Sequence, residues 1–115
     1  SGGNKTLLRV SIRLINKAIH INPDNAEYIS ELAYQERLNG DPRSALETYG
    51  RALKADEGYM PALHGRIRCK VELGKLKEAA EELEFMGDVS EDGEATSVLE
   101  IAIIRAILAR KYHNN

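Results

Sequence analysis

The feature that most constrains the fold is an internal repeat with a period of 34 residues. Gly40 and Ala45, in the stretch NGDPRSALETYGRALKAD, recur as Gly74 and Ala79 in the stretch LGKLKEAAEELEFM. This period is the length of two helices with their turns, which is one unit of a helical solenoid. Because each unit buries its apolar face only against its neighbours, the repeat predicts a stack of helix pairs.

Apolar residues inside each unit follow the spacing of a helix and not that of a strand. In the first unit they are Ile29, Leu32 and Ala33, followed by Ala45, Leu46, Tyr49, Ala52 and Leu53. Four small residues are expected where the two helices of a pair cross closely: Ala33, Ala45, Ala52 and Ala79. No useful length of the chain alternates with a period of two, so we expect no strands. The pattern predicts six helices, over residues 5–21, 25–39, 42–56, 60–73, 76–86 and 94–111.

Residues typical of helix ends stand between these segments. Asp24 is expected to cap the second helix, with Glu27 three residues later completing a capping box. Asp41 precedes Pro42, which is tolerated at the first helical position because no N–H donor is needed there. Four glycines stand where helices should end in a left-handed residue: Gly40, Gly58, Gly74 and Gly87.

The composition limits the classes of function. Charged residues make up 30% of the chain and the net charge is −2, so nucleic acid is not an expected partner. The most apolar run, from Val98 to Ala109, contains Glu100 and Arg105 and is shorter than the about 20 residues of a transmembrane helix. We therefore expect no membrane insertion. The single cysteine, Cys69, cannot form an internal disulfide, which fits a reducing compartment.

The unit over residues 26–59 resembles a tetratricopeptide repeat (TPR). Seven positions agree with the signature of that family: Ile29, Leu32, Ala33, Gly40, Ala45, Tyr49 and Ala52. Glu36 and Glu57 depart from it, where an aromatic residue and a proline are usual. The unit over residues 60–93 is looser, and its matching positions are Leu63, Gly74, Ala79 and Leu83. Arg66 and Met86 stand where Leu and Ala are usual.

The resemblance implies an all-α fold, a fragment of a TPR-type right-handed α-solenoid with about six antiparallel helices. It divides the chain into the second helix of a preceding repeat (4–25), two whole repeats (26–59 and 60–93) and the first helix of a following repeat (94–115). Residues 87–94 are expected to be a solvated acidic linker, since their carboxylates lack the ordered spacing of a calcium loop. Residues 1–3, SGG, are expected to be a cloning remnant on a piece of a longer chain.

Several stretches are similar to one family in particular. The stretches NPDNAEYISELAYQERLNG, ALKADEGYMPALHGRIRCKVELGKL and EELEFM occur in this order, and the last helix ends in LARKYHNN. They resemble the middle of the tetratricopeptide repeat protein 21 family, the large all-repeat subunits of intraflagellar transport complex A. The resemblance implies a non-catalytic scaffold in retrograde transport, located in the cilium or flagellum, the basal body and the cytoplasm. The partners it implies are the other protein subunits of complex A.

In TPR proteins the first helix of each repeat lines the inner face of the solenoid, and we expect a partner to bind there. The candidate residues on this face are Glu27, Ser30, Tyr34, Arg37, His64, Arg68 and Glu72. Tyr and Arg contribute disproportionately to interfaces, although charged residues are more often ordinary solvated surface. Chaperone adaptors hold a C-terminal carboxylate with Lys and Asn at positions that here are Ser30, Tyr34 and Gly65. The missing residues argue against an adaptor for chaperone tails.

No residues indicate catalysis, a cofactor or a metal. His20, His64 and His113 stand in different segments, and with Cys69 they form no spacing typical of metal ligands. The sequence has no glycine-rich phosphate loop and no nucleophile elbow. Cys69 is expected to be a buried thiol of the core. We therefore expect neither an enzyme nor a cofactor.

The first and last helices are apolar around more than one face. The residues expected at these open ends are Leu8, Ile12, Ile15, Ile101, Ile104 and Leu108. The terminal helices of a solenoid need polar outer faces, and neither end of this chain has one. Because burial contributes about 25 cal/mol per Å² of apolar surface, we expect self-association through the first or last helix.

Two other functions fit the same residues. A generic cytosolic TPR adaptor would hold a short extended peptide against Tyr34 and Arg68, whereas a scaffold would dock folded subunits along its edges. A TPR arm of a larger enzyme would have its catalytic residues in another part of the protein. The sequence around this segment separates the last function from the first two, because it either continues in repeats or changes to another fold.

Overall fold

The computed structural model describes residues 2–89, 102 and 104–111, with side chains at 9–86, 102 and 104–111. Over these residues the chain is entirely helical apart from short turns. The helices are α1 (Gly2–Ile21), α2 (Ala26–Leu38), α3 (Pro42–Ala55), α4 (Met60–Glu72) and α5 (Leu76–Val89), and a segment α6 spans residues 104–111. The prediction of an all-α fold is confirmed.

Side-chain caps start two of these helices. Asn25, and not the predicted Asp24, caps α2, because its Oδ1 accepts the N–H of Tyr28 at 3.0 Å. The predicted capping box is therefore wrong, since Glu27 lies two residues after the cap. Asp41 caps α3 as predicted, where its carboxylate accepts both the N–H and the hydroxyl of Ser44, at 3.1 and 2.7 Å.

The two whole units have the same turn between their helices. Gly40 and Gly74 are left-handed, with φ of 82° and 79°. At the first turn, the N–H of Gly40 donates to the carbonyl of Arg37 and the N–H of Asp41 to that of Glu36, both at 3.0 Å. Gly74 and Lys75 repeat this pair of bonds, which defines the Schellman motif. Only a residue without a Cβ adopts this conformation readily, so the glycine period follows from the turn.

The other two glycines do not end helices in this way. Neither Gly58 nor Gly87 has a positive φ, so this part of the prediction is wrong. Gly58 lies in the turn before α4, where its N–H donates to the carboxylate of Asp56 at 3.1 Å. Helix α5 continues through Gly87 to Val89, so residues 87–89 belong to a helix rather than to the predicted acidic linker.

Each of the helices α1 to α4 packs against the next one, and α2 also contacts α4. This contact between the first helices of successive units is what makes the pairs a solenoid. The predicted close crossings are confirmed, since four alanines have no exposed surface: Ala33, Ala45, Ala52 and Ala79. The first core cluster joins α1 to α4 around Ile29, Leu32 and Tyr49.

A second core cluster joins α4, α5 and α6 around Ile67, Leu83 and Ile104. Beside it, Glu82 accepts hydrogen bonds from two cations of α4, with Lys70 Nζ at 2.6 Å and Arg66 Nε at 3.3 Å. Arg66, which departs from the repeat signature, is therefore paired with Glu82 across the helix pair instead of adding to the core.

The open ends differ from the prediction. Ile104 and Leu108 are buried, at 0% and 5% exposure, because the face that carries them packs into the second cluster. Ile12 and Ile15 are partly buried against the first cluster. These four residues therefore serve the chain's own core. The side chain of Leu8 and the whole of Ile101 lie outside the described residues.

No helix in the described part of the chain is long and apolar enough to cross a membrane.

Candidate binding groove on the inner face

A groove runs between α2 and α4, with α3 beneath it. Its first cavity has a volume of about 290 Å³ and is lined by Tyr34, Arg37, Tyr49, Pro61, His64, Gly65 and Arg68. Its second cavity, of about 240 Å³, is lined by Glu27, Ser30, Glu31, Tyr34, Tyr49, Tyr59 and Pro61. Because the two cavities share Tyr34, Tyr49 and Pro61, they form one continuous depression, which we call the inner groove.

The floor of the inner groove depends on Gly65. A Cβ at this position would overlap the ring of Tyr49, so the ring lies directly against the backbone of α4. Tyr49 is 4% exposed, and burial raises the pKa of its hydroxyl to about 12, although the charge and hydrogen bond of Arg37 act in the opposite direction. A glycine inside a helix here marks a close approach of packed groups.

Arg37 connects the two walls. Its Nη1 donates to Oε1 of Glu72 on α4 at 3.1 Å, and its guanidinium lies 5.4 Å from the centre of the Tyr34 ring. The Arg37 side chain is only 14% exposed, so this ion pair is shielded more than a surface pair. These contacts hold Arg37 at the edge of the groove even when no ligand is bound. The Arg37 side chain would therefore lose less conformational entropy when a partner binds.

The two ends of the inner groove carry opposite charges. Arg37 and Arg68 line the first cavity, whereas Glu27 and Glu31 line the second. Tyr59 lies at the acidic end, where burial and then the charges of Glu27 and Glu31 raise the pKa of its hydroxyl. The groove therefore distinguishes the two directions in which an extended segment could lie.

The inner groove contains six of the seven candidate residues: Glu27, Ser30, Tyr34, Arg37, His64 and Arg68. The seventh, Glu72, lines neither cavity and instead holds Arg37. Ser30 and His64 are buried, at 6% and 8% exposure, so they form the floor and not a projecting surface. The Ser30 hydroxyl makes no hydrogen bond with the described residues. Their role in binding a partner remains a prediction.

Four further residues line the inner groove without having been predicted as contacts: Glu31, Tyr49, Tyr59 and Gly65. Tyr49 was predicted as a core residue, and it is one, but the edge of its ring also forms the groove floor. The signal that could have found this role is Gly65, a glycine in the middle of a helical segment opposite a large aromatic residue.

The described part of the chain has no cluster of side chains that could hold a metal. Cys69 is completely buried, as predicted. Burial, with the charge of Glu72, raises the pKa of its thiol to about 11. A neutral buried thiol is a poor nucleophile, so Cys69 is a core residue.

Comparison with solved structures identifies the fold. The second TPR domain of the human RPAP3 protein, determined by NMR in complex with the HSP70 peptide SGPTIEEVD, aligns with a TM-score of 0.70. The alignment covers 89% of this chain and 84% of that chain, at 22% sequence identity. At this identity the likeness shows a shared TPR-like solenoid fold.

Curated relatives give a more specific similarity. Human tetratricopeptide repeat protein 21B is 32% identical over 110 residues, which cover 96% of this chain. The mouse protein 21B is 31% identical over 113 residues, and human protein 21A is 29% identical over 112 residues. The chain spans 8% of the length of each of these relatives.

A family profile covers the whole chain. The profile described as the second ARM domain of tetratricopeptide repeat protein 21 matches residues 1–115. The match includes the groove helices, both Schellman turns and both core clusters. The chain therefore belongs to the tetratricopeptide repeat protein 21 family.

Proposed function

We propose that this chain is a scaffold segment of the large TPR subunit of intraflagellar transport complex A, acting without catalysis in retrograde transport. The observation that supports this most is the family match, which extends over all 115 residues. The expected partners are other protein subunits of the complex. The expected locations are the cilium or flagellum, the basal body and the cytoplasm. Since the chain spans 8% of its relatives' length, the proposal concerns its contribution to a much larger protein.

The inner groove is the part of this segment that we propose contacts a subunit. Its aromatic floor is buried and its charged edge is held by the pair of Arg37 with Glu72, so the surface is largely formed before binding. Tyr34 is 42% exposed on the wall beside Arg37, where it is available to a partner. An exposed aromatic residue beside an arginine is typical of the residues that dominate interface energies.

A peptide adaptor is the second candidate function. Cavities of about 290 and 240 Å³ are large enough for single side chains of an extended segment, and the opposite charges at the two ends would set its direction. The scaffold and the adaptor differ in their partner: a folded subunit in one case and a short linear motif in the other. In the third alternative, an arm of an enzyme, the full-length protein would contain a catalytic domain of another fold.

The test uses the full-length protein that contains this segment, tagged and expressed in ciliated cells. The variant Tyr34→Ala/Arg68→Glu removes the exposed aromatic residue and reverses a charge of the inner groove. Its matched control, Tyr28→Ala/Arg51→Glu, makes the same chemical changes at exposed positions outside both cavities. Affinity capture with quantitative mass spectrometry then compares the recovery of each subunit.

We expect the wild-type protein and the control to recover the complex A subunits, and the groove variant to lose at least one of them. Equal recovery by both variants would refute the groove as the contact. Capture of proteins that share only a short linear motif would favour the adaptor. Capture without any transport subunit in all three samples would refute the scaffold function itself.

A further inference from the structure

The second cavity of the inner groove combines aromatic rings with negative charge. Its lining contains three tyrosines, two glutamates, one serine and one proline: Tyr34, Tyr49, Tyr59, Glu27, Glu31, Ser30 and Pro61. Among the described residues, no cation lines this cavity. All seven side chains belong to α2, α3, α4 and the turn before α4, and neither α1 nor α6 contributes to the lining. The cavity is therefore a feature of the two whole repeats.

The two carboxylates lie together and keep their charge available. Glu27 and Glu31 are four residues apart on α2, so they are neighbours on one face of the helix, and both are exposed. Within the described part of the chain neither takes part in an ion pair, and Glu31 accepts only a hydrogen bond from the neutral Gln35, at 3.0 Å. Burial, and then the charges of these two carboxylates and of Asp56, raise the pKa of the Tyr59 hydroxyl. The negative field therefore reaches the rings of the cavity.

Opposing positive charge is smaller than this. The second cavity lies near the first turns of α2 and α4, and each helix N-terminus acts as about half a positive charge. Two full carboxylates exceed the sum of these two partial charges. Arg37 and Arg68 line the first cavity and not the second, and Arg37 is paired with Glu72 at 3.1 Å. The net charge of the second cavity is therefore negative, which favours a cation.

Ser30 provides an independent indication of a ligand. Its side chain lines the second cavity, is only 6% exposed, and has a hydroxyl that makes no hydrogen bond with the described residues. A buried hydroxyl without a partner is unfavourable, because it has lost its hydrogen bonds to water. A ligand with N–H groups would supply the missing bond, with the Ser30 oxygen as acceptor.

The rings of the cavity also suit a cation. A guanidinium or an ammonium is attracted to the face of a tyrosine ring within about 6 Å of its centre. The inner groove already contains such a contact, since the guanidinium of Arg37 lies 5.4 Å from the centre of the Tyr34 ring. A volume of about 240 Å³ is below the range of about 300–1,000 Å³ that holds small-molecule ligands. The cavity is therefore of a size for one side chain.

We propose that the second cavity binds one cationic side chain, of lysine or arginine, from the protein that the inner groove contacts. This inference rests on the proposed function of the groove as a contact with a partner. The tyrosine rings surround the cationic group, Glu27 and Glu31 provide the opposite charge, and the Ser30 hydroxyl accepts one hydrogen bond. The partner therefore presents a basic residue where it meets the N-terminal ends of α2 and α4.

The test is an NMR titration of the 115-residue chain, labelled with nitrogen-15, at low salt. The probes are the Nα-acetyl amides of arginine and of lysine, and the neutral control probe is that of citrulline, which has the shape of arginine without its charge. The variant Glu27→Gln/Glu31→Gln neutralises the cavity. Its matched control, Glu81→Gln/Glu84→Gln, neutralises two exposed carboxylates of α5 outside both cavities. The dispersion of the amide signals verifies that each variant is folded.

We expect the arginine and lysine probes to shift the amide signals of Ser30, Glu31 and Tyr59, with a Kd of about 1–10 mM for ligands of this size. The citrulline probe should bind at least about tenfold more weakly, and so should the arginine probe to Glu27→Gln/Glu31→Gln. The α5 control should bind like the wild-type chain. Equal binding of arginine and citrulline, or unchanged binding by the cavity variant, would overturn the proposal.

Ser30→Ala separates a role in binding from a role in folding. The wild-type hydroxyl has no hydrogen bond to lose, so this variant should be at least as stable as the wild-type chain in urea. It should nevertheless bind the arginine probe about two- to tenfold more weakly. Unchanged binding would overturn the role of Ser30 as an acceptor. Because the titration contains no transport subunit, its failure would leave the scaffold function standing, and failure of the capture experiment would leave the cation site standing.

Discussion

The contact between Gly65 and Tyr49 makes a quantitative prediction about stability. Gly65 lies in the middle of α4, and Gly50 lies in the middle of α3. Replacing a glycine inside a helix with alanine favours folding by about 1 kcal/mol, since alanine loses less backbone entropy. At Gly50 a new Cβ would meet no atom within 4 Å, so Gly50→Ala should stabilise the chain by about that amount.

The same change at Gly65 has an opposing cost. Its Cβ would overlap the ring of Tyr49, which is 4% exposed and cannot move aside without disturbing the core. Overpacking of this kind costs about 1–3 kcal/mol, which equals or exceeds the gain in helix propensity. Gly65→Ala should therefore be neutral or destabilising by up to about 2 kcal/mol, and about 1–3 kcal/mol less stable than Gly50→Ala.

Urea unfolding followed by circular dichroism measures both variants, with the slope m showing whether the denatured state has changed. The background Tyr49→Leu, with a shorter side chain, separates the overlap from other effects. In that background Gly65→Ala should become stabilising, as Gly50→Ala is in the wild-type chain. Equal stability of Gly65→Ala and Gly50→Ala in the wild-type background would refute the argument that the missing Cβ admits the ring.

Three further predictions follow from the core, a helix cap and the buried acids. Ala45→Leu should cost about 1–3 kcal/mol because Ala45 is completely buried at a helix crossing, whereas Ala55→Leu, at an exposed position, should change the unfolding free energy little. Asn25→Ala should cost about 0.5–2 kcal/mol by removing the cap of α2, while Asn25→Asp should keep most of the stability, as urea titrations would show. Burial raises the pKa of Cys69 to about 11 and that of Tyr49 to about 12. Since the unfolded chain releases these protons first, the contribution of these two groups to the free energy of unfolding should be constant up to about pH 9 and fall above it. Cys69→Ala should make the fall in unfolding free energy between about pH 9 and pH 11 shallower. A pH profile identical to that of the wild-type chain would contradict the raised pKa of the Cys69 thiol.

The sequence by itself determined the helices, their pairing and the turns. Gly40 and Gly74 could be recognised because the Schellman turn needs a left-handed residue, and that requirement is local to a few residues. Ala45 and Ala79, at the helix crossings, could be recognised because they lie 34 residues apart, as Gly40 and Gly74 do. The cap of α2 is Asn25 and not the predicted Asp24, because both residue types are good caps and the sequence does not show which of two adjacent residues leaves the helical conformation.

Only the tertiary structure decided which apolar and polar faces are used. Ile104 and Leu108 were expected at an open end and are core residues, because this side of α6 packs into the second core cluster with residues of α4 and α5. Ser30 lies on the same helix face as Tyr34, and His64 on the same face as Arg68. Ser30 and His64 nevertheless form the floor of the inner groove instead of its edge. Helical periodicity states which residues share a face, whereas burial depends on distances between elements far apart in the chain. That is why the repeat predicts a solenoid, and why the shape and charge of its groove come from the packing of α2, α3 and α4.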